Sequence, residues 1–193
     1  MSITSWRPCR ALSSVDSKAV LRPASVADAA AIARVHRESW RTTYAGMLPA
    51  EVIERETGRK SEAAWQHWLE RADRPTGTIV AEVPGAGIVG FSFCGVARTG
   101  LEGLEAEIYA LYVLQEYQRR GIGRELVRES ARHFVRLGLF GFYLWVLKAN
   151  RARLFYEALG GQAIAEKTEQ LGGHAFGEIA YAWHDLTALV GTG

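Results

Sequence analysis

Two hydrophobic patterns follow one another in the middle of the chain and organise the rest of it. Residues 108–114 are apolar almost without interruption, which is typical of a strand that is covered on both faces. Further on, apolar and small residues recur at spacings of three and four between Leu126 and Val135, which predicts an amphipathic helix that ends near Gly138. A polar stretch with two glycines separates them. The pattern predicts a buried strand, a loop and a helix in succession.

Helical and extended patterns alternate through the remainder of the chain. A strand at 19–22 precedes a helix that Ser25 and Asp28 begin, and a second helical region contains Trp65 and Trp68. The other predicted elements are a hairpin with strands at 78–83 and 87–97, a polar loop at 98–105, a strand at 140–147, a short helix at 151–159 and strands at 162–169 and 178–186.

Length and charge restrict the class of protein. The 193 residues suit one folded domain, which we expect at 19–193, after an unpatterned N-terminal extension at 1–18. With 23 Lys and Arg against 21 Asp and Glu, the formal charge is +2, which argues against nucleic acid or an anionic membrane as a partner. The sequence shows no coiled-coil pattern, and a homodimer is an open expectation.

The cysteines and histidines are not spaced as metal ligands or as a redox pair. Cys9 and Cys94 lie far apart, and we expect both to be free thiols and no metal site. No apolar run reaches the roughly 18 residues of a membrane span, and the N-terminus lacks the apolar core of a signal peptide. We therefore expect a cytoplasmic protein.

The glycine-containing loop has the composition of a phosphate site. The segment Gln118 to Gly123, Q-R-R-G-I-G, directly precedes the predicted helix, so its glycines lie where free backbone N–H groups and the helix dipole favour an anion. Arg119, Arg120 and Arg124 add positive charge. The alternative is that the two glycines only form a tight strand-to-helix turn. The joint presence of strand, basic loop, glycines and helix favours phosphate binding.

Two common phosphate motifs do not fit this loop. A dinucleotide fingerprint requires glycine or alanine at position 126, which is Leu126, and a Walker loop requires Gly-Lys-Ser/Thr, whereas Gly123 is followed by Arg124. The stretch instead resembles motif A of the GNAT superfamily of acyl-CoA-dependent N-acyltransferases, Gln/Arg-x-x-Gly-x-Gly/Ala. Together with Asn150 and Tyr156, the resemblance covers about residues 19–186.

The resemblance implies a fold, a co-substrate and a set of donor-site residues. The fold is α/β (α+β), with one mixed, largely antiparallel central sheet flanked by helices, and the co-substrate is acetyl-CoA. A bulged central strand would present the backbone of Leu111 to the thioester and that of Val113 to pantetheine. The cofactor-binding residues it implies are Leu111, Val113, Gln118, Arg119, Arg120, Gly121, Ile122, Gly123, Arg124 and Asn150.

Two catalytic roles and an acceptor pocket follow from the same resemblance. Glu107 matches a general base, but its Cα would lie roughly 13 Å along the strand from that of Leu111, so it would act through a relay water. Tyr156 matches the general acid that protonates the departing thiolate. Each of these residues also has a purely structural alternative. Glu107 would be a strand-end carboxylate in solvent, Tyr156 a ring packed on the sheet, and Asn150 a plain helix cap. The residues expected to bind the acceptor are Trp40, Arg41, Tyr44 and His174.

The sequence therefore predicts an N-acetyltransferase that moves an acetyl group from acetyl-CoA to a primary amine by direct attack in a ternary complex. The amine belongs to a small molecule or to a protein, and the sequence does not choose between them. No serine or cysteine stands beside a base in the motif region, so an acyl-enzyme is not indicated. One alternative is a non-catalytic acyl-CoA-binding sensor or partner module with the same fold. Another is an unrelated nucleotide-phosphate binder.

Overall fold

The computed structural model describes residues 18–71 and 76–191, in which seven strands form one mixed sheet. The strands are β1 (Val20–Pro23), β2 (Thr76–Val83), β3 (Gly87–Leu101), β4 (Leu104–Val113), β5 (Phe142–Leu147), β6 (Gln162–Leu171) and β7 (His174–Trp183). Their order across the sheet is β1-β2-β3-β4-β5-β7-β6. Neighbours are antiparallel except for β4 and β5, which are parallel. The predicted mixed, largely antiparallel sheet is confirmed.

Helices cover both faces of this sheet. They are α1 (Ala29–Tyr44), α2 (Ala50–Arg59), α3 (Glu62–Glu70), α4 (Ile122–Arg136), α5 (Arg153–Ala158) and α6 (Thr187–Val190). Phe91 and Phe93 of β3 pack on Trp65 of α3, whereas Ser92 between them hydrogen-bonds to Ser130 of α4 at 2.8 Å. Since successive strand residues point to opposite faces, α3 and α4 lie on opposite sides of the sheet.

The predicted amphipathic helix is α4, and its apolar stripe faces the sheet. Leu126, Val127, Ala131 and Phe134 are fully buried. Ser130 lies in the same stripe, and its hydroxyl is satisfied by the carbonyl of Leu126 and by Ser92. The helix begins directly after the glycine loop, which places that loop at the end of β4.

Four boundaries differ from the sequence prediction. Residues 98–105 are a strand hairpin with its turn at Glu102 and Gly103, both with positive φ; the stretch is polar because this end of the sheet is exposed. The region before β2 holds two helices after α1, separated at Lys60 and Ser61. β5 begins at Phe142, since Phe140 is exposed. The last hairpin is tighter than predicted, with β7 starting at His174.

Some predictions fall outside the described residues. These are the N-terminal extension up to residue 17, with Cys9, and the segment 72–75. Cys94 is a buried free cysteine in β3, and burial raises the pKa of its thiol to about 12. Within the described ranges, none of the helices combines the length and the apolar character needed to cross a membrane.

Candidate active site

Two neighbouring strands separate at the centre of the sheet and open a cavity. The register of β4 and β5 pairs Glu107 with Tyr143. Beyond this pair, residues 108–113 of β4 and 144–146 of β5 line a common cavity of about 950 Å³. We call it the edge cavity, because one edge of β4 faces it in place of a neighbouring strand.

A β-bulge interrupts β4 beside this cavity. Phe93 of β3 pairs with Ala110 and Cys94 pairs with Ile108, so that Tyr109 is an extra residue in β4. An extra residue bends the strand and increases its twist. The bulge that the family resemblance implied is therefore present at Tyr109.

The backbone groups of Leu111 and Val113 face the edge cavity. The N–H of Leu114 donates to the carbonyl of Val89 in β3 at 2.9 Å. Because backbone groups alternate between the two edges of a strand, those of Val113 and Leu111 point away from β3. The side-chain amide of Gln118 donates to the Val113 carbonyl at 2.9 Å, which confirms this direction. Gln118 thus anchors the start of the loop to the open edge.

The glycine loop turns the chain into α4 with its backbone donors exposed to the edge cavity. Gly121 is the residue before the first turn and has φ of 84°, a left-handed conformation that glycine adopts without strain. Arg119, with φ of 60°, shares this unusual geometry. The N–H of Glu125 returns to the carbonyl of Gly121, so the N–H groups before it have no partner within the helix. The loop is built as an anion cradle.

Gly123 is required for a different reason from Gly121. A Cβ at Gly123 would lie 3.3 Å from the ring of Phe155 on α5, whereas a Cβ at Gly121 would meet open space. The absence of a side chain at 123 thus lets α4 approach α5 closely. This close packing brings the start of α5, with Asn150 and Tyr156 near it, against the same cavity.

Four arginines line the edge cavity and only two were predicted. Arg119 and Arg124 were expected, and Arg128 and Arg151 join them. Arg128 is one helical turn after Arg124, and Arg151 follows Asn150, so both lie next to motif residues. Of the other predicted residues, Arg120 donates to the carbonyl of Glu116, and Ile122 is buried; neither lines the cavity.

Asn150 and Tyr156 both border the edge cavity. The Asn150 side-chain oxygen accepts from the N–H of Ala152 at 2.9 Å, so this residue also caps the turn that leads into α5. Tyr156 is 7% exposed and packs near Tyr181. Burial, with the neighbouring Tyr44 phenol, raises the pKa of Tyr156 above its ordinary value. The phenol therefore stays protonated and able to donate at neutral pH.

A second cavity, of about 530 Å³, lies on the other side of the bulge. Aromatic side chains are the largest group in its lining, so we call it the aromatic cavity; the rings come from His36, Trp40, Tyr44, Trp65, Trp68, Phe93, Tyr109, Tyr112 and Trp145. Six residues line both cavities, namely Tyr44, Ile108, Tyr109, Ala110, Tyr112 and Trp145. The two cavities therefore meet over the bulged part of β4.

Two phenols stand at this junction. The Trp40 indole N–H donates to the Tyr112 hydroxyl at 2.9 Å, and the hydroxyls of Tyr112 and Tyr44 are 3.5 Å apart. Burial raises the pKa of Tyr112 to about 12 and also raises that of Tyr44. Both are neutral hydrogen-bonding groups at physiological pH. The sequence predicted Trp40 and Tyr44 as acceptor residues but not Tyr112, because in the sequence Tyr112 is one more apolar residue of a buried strand.

His36 is a buried imidazole on the wall of the aromatic cavity. It is 3% exposed, and its Nδ1 has no hydrogen-bond partner among the described residues. Burial, with the positive charges of Lys60 and Arg37, lowers the pKa of His36 to about 3. His36 is therefore neutral at pH 7 and too weak a base to take a proton from an ammonium group.

Glu107 is buried beside the junction and is bound to Arg98. It is 1% exposed, and its carboxylate accepts from the backbone N–H, Nε and Nη2 of Arg98. The Tyr143 hydroxyl lies at 3.5 Å. Glu107 is thus neither in solvent nor on either cavity wall, while Arg98 lines the aromatic cavity. The solvent-facing alternative considered from the sequence is wrong.

Two predicted acceptor residues lie outside the aromatic cavity. Arg41 is exposed on α1, and His174 begins β7 with Nε2 3.8 Å from a carboxylate oxygen of Glu51. Neither lines the cavity, in contrast to Trp40 and Tyr44. The misplacement of His174 follows from the tight last hairpin, which makes it a strand residue instead of a loop residue.

The chain belongs to the Acetyltransferase (GNAT) family, whose model matches residues 32–160. It is 32% identical over 169 residues to YuaI of Bacillus subtilis, described as an uncharacterized N-acetyltransferase. The alignment covers 88% of this chain and 95% of YuaI. The chain is 27% identical over 130 residues to a spermidine N(1)-acetyltransferase of Thermoplasma acidophilum, over 67% of this chain and 79% of that one.

The fold is also found in solved structures. The crystal structure of the PaiA N-acetyltransferase of Thermoplasma acidophilum in complex with coenzyme A aligns with a TM-score of 0.67 and 23% identity. The alignment covers 86% of this chain and 99% of that chain. The expected family and the expected GNAT fold are therefore confirmed, and the protein is an acetyltransferase of the GNAT type.

Proposed function

We propose that the protein transfers an acetyl group from acetyl-CoA to a primary amine by direct attack in a ternary complex. The observation that carries this proposal is the meeting of two cavities over the bulge of β4. The edge cavity offers an open strand edge and an anion cradle, as an acyl-CoA would require. The aromatic cavity reaches the same strand from the other side. Two relatives are named N-acetyltransferases, and the PaiA structure of the same fold holds coenzyme A, which supports acetyl-CoA as the co-substrate.

The residues of the edge cavity supply the groups that would hold acetyl-CoA. The helix N-terminus after Gly121, with Arg119 and Arg124, would bind the pyrophosphate, and the backbone of Val113 would pair with the pantetheine chain. Asn150 borders the same space and adds a polar contact to it. Arg128 and Arg151 supply further positive charge toward the phosphates.

The chemistry needs an oxyanion donor and an acid. As the amine nitrogen bonds to the thioester carbon, the carbonyl oxygen gains negative charge, and the N–H of Leu111 points from β4 toward it. The C–S bond then breaks, and the hydroxyl of Tyr156 gives its proton to the thiolate. The raised pKa of Tyr156 keeps that proton available.

The predicted base, Glu107, lines neither cavity, so the proton that leaves the amine cannot pass to it directly. Glu107 remains our candidate, through water, although its carboxylate is occupied by Arg98. The phenols of Tyr112 and Tyr44 lie between the two cavities and are placed to carry a hydrogen-bonded relay. Solvent is the final acceptor in either case.

Thermal unfolding in parallel with acetyl-CoA, CoA, ATP and NAD tests the co-substrate. A ligand at about a hundred times its dissociation constant stabilises by roughly 2.7 kcal/mol, or around 5 to 11 °C for a chain of this size. We expect a rise with acetyl-CoA and CoA and none with ATP or NAD. Release of CoA over a panel of amines then tests transfer. Binding without release over the whole panel would identify a sensor instead of an enzyme.

A further inference from the structure

Lys60 and Arg98 are two of the cations that line the aromatic cavity, together with Arg71 and Lys167. The ammonium of Lys60, just after α2, lies 4.0 Å from the ring centroid of Trp68. Arg98 of β3 lies over the ring of Tyr109, 5.4 Å from its centroid. Between them, Phe93 contacts both Trp68 and Tyr109. The wall is therefore a row of rings with a positive charge over each end.

The positive charge on this wall is only partly neutralised. Arg98 is paired with Glu107, and the nearby Glu56 is paired with Arg55 and Arg59. Lys60 has no ion pair within the ranges that the structure describes. Burial, with the positive charge of Arg98, lowers the pKa of Lys60 below its ordinary value. A bound anion would relieve both effects.

Carboxylates of β6 and β7, Glu169 and Glu178, line the same cavity. Glu178 of β7 is largely buried, and Lys167 bridges it to Glu169 at 3.2 and 3.3 Å. Burial raises the pKa of Tyr44 and of Tyr112, and the charge of Glu178 makes a smaller contribution in the same direction. Glu178 lines the aromatic cavity together with the two junction phenols.

We infer that the acceptor is a small zwitterion of the amino-acid class, a primary amine that carries a carboxylate. The amine is held at the junction by Glu178, Tyr44 and Tyr112, where the acetyl group arrives. The carboxylate is held by Lys60 and Arg98, which line the same cavity. A polyamine would place positive charge against Lys60 and Arg98. This inference rests on the proposed function and specifies its substrate.

Steady-state acetyl transfer to free amino acids and to their primary amides tests the inference. The two forms differ in the carboxylate and little in size. In the unaltered enzyme we expect the acids to be preferred in kcat/KM. In Lys60→Met we expect that preference to fall about tenfold through the KM of the acid, with the amide unaffected. Lys60→Arg should restore most of it. Lys148→Met, which removes an exposed lysine outside both cavities, should change nothing.

The outcomes separate this inference from the proposed function. Preference for amides or for spermidine, or an equal effect of Lys60→Met on acid and amide, would overturn the zwitterion while leaving acetyl transfer intact. If no amine releases CoA although acetyl-CoA binds, the proposed function fails. Calorimetry of the acid and the amide on the CoA-bound protein then still tests the site. Binding of the acid that Lys60→Met abolishes would support it, and equal binding of acid and amide would overturn it.

Discussion

The two cavities that meet at β4 are made from different parts of the chain. The groups of the edge cavity that would bind pantetheine and pyrophosphate are largely backbone: the open edge of β4, the loop through Gly121 and the first turn of α4. The aromatic cavity is formed by side chains from α1, α2, α3 and six strands, β2 to β7, and both Lys60 and Glu178 line it. A binding site made of backbone groups needs glycines and a helix start at fixed positions. In a site made of side chains, single residues can be substituted without changing the backbone. One scaffold can therefore keep its acetyl donor and change its acceptor.

The largest effect that we expect comes from the proposed general acid, Tyr156, which lines the edge cavity. Tyr156→Phe removes one hydroxyl and keeps the packed ring, so the thiolate loses its proton donor. Turnover should fall by about a hundredfold, in line with typical general acid catalysis. Acetyl-CoA affinity, measured by calorimetry, should be unchanged. Turnover equal to that of the unaltered enzyme would show that Tyr156 is only a packing residue.

His36, on the wall of the aromatic cavity, should make the free energy of unfolding depend on pH. The pKa of His36 is about 3 in the fold and 6.5 in the unfolded chain, so between these values the unfolded chain binds the extra proton. Stability is therefore highest above pH 6.5 and falls as the pH drops toward 3. His36→Phe removes this term and loses no hydrogen bond at Nδ1.

At pH 5 the burial of neutral His36 lowers the free energy of unfolding by about 2 kcal/mol relative to its value above pH 6.5. The variant should therefore lose less stability than the unaltered protein between pH 7 and pH 5, measured by denaturant unfolding at each pH. Both proteins losing the same amount would show that His36 is not held neutral by burial. Acetyl-CoA affinity serves as the control, since His36 does not line the edge cavity.

Acetyl-CoA binding in the edge cavity should depend on the backbone conformation of Gly121 and not on the open space beside that residue. Gly121→Val forces a branched residue into φ of 84°, which costs roughly 1 to 2 kcal/mol and displaces the anion cradle. We expect acetyl-CoA affinity to fall about tenfold in calorimetry. Gly121→Asn tolerates the left-handed conformation better and should lose less. Equal losses in both variants would indicate that the ligand needs the open space beside Gly121 instead.

What could be predicted from the sequence follows the same division. The strand, glycine loop and α4 are contiguous, so one local pattern specified most of the edge cavity, including Gln118 and Gly121. Lys60, Arg98 and Tyr112 lie on separate elements and are brought together by the sheet, which no local pattern records. Arg41 and His174 were expected to bind the acceptor and do not line the aromatic cavity, because the family resemblance indicates elements and not which face of each element points inward. The partnership of Glu107 with Arg98 likewise depends on a hairpin that was predicted as a loop.

The smallest effect concerns Glu107, whose carboxylate binds Arg98 of the aromatic cavity. Glu107→Gln keeps the shape and removes the charge, and Arg98, which is 64% exposed at its side chain, can still reach solvent. As the predicted base acting through water, Glu107 should give a severalfold loss of kcat with acetyl-CoA affinity unchanged. The loss should vary with pH, since a base works only when deprotonated.

A rise in the acceptor KM with kcat unchanged would point to another role for Glu107. It would mean that Glu107 only positions Arg98 on the wall of the aromatic cavity. The pH profile separates the two roles, because a positioning residue shifts the KM without moving the ascending limb of kcat. Arg98→Lys is the matched variant: it keeps the charge on the cavity wall and loses the paired hydrogen bonds to Glu107. If Glu107 is the base, the ascending limb is lost only in Glu107→Gln; if it positions Arg98, both variants raise the acceptor KM alike.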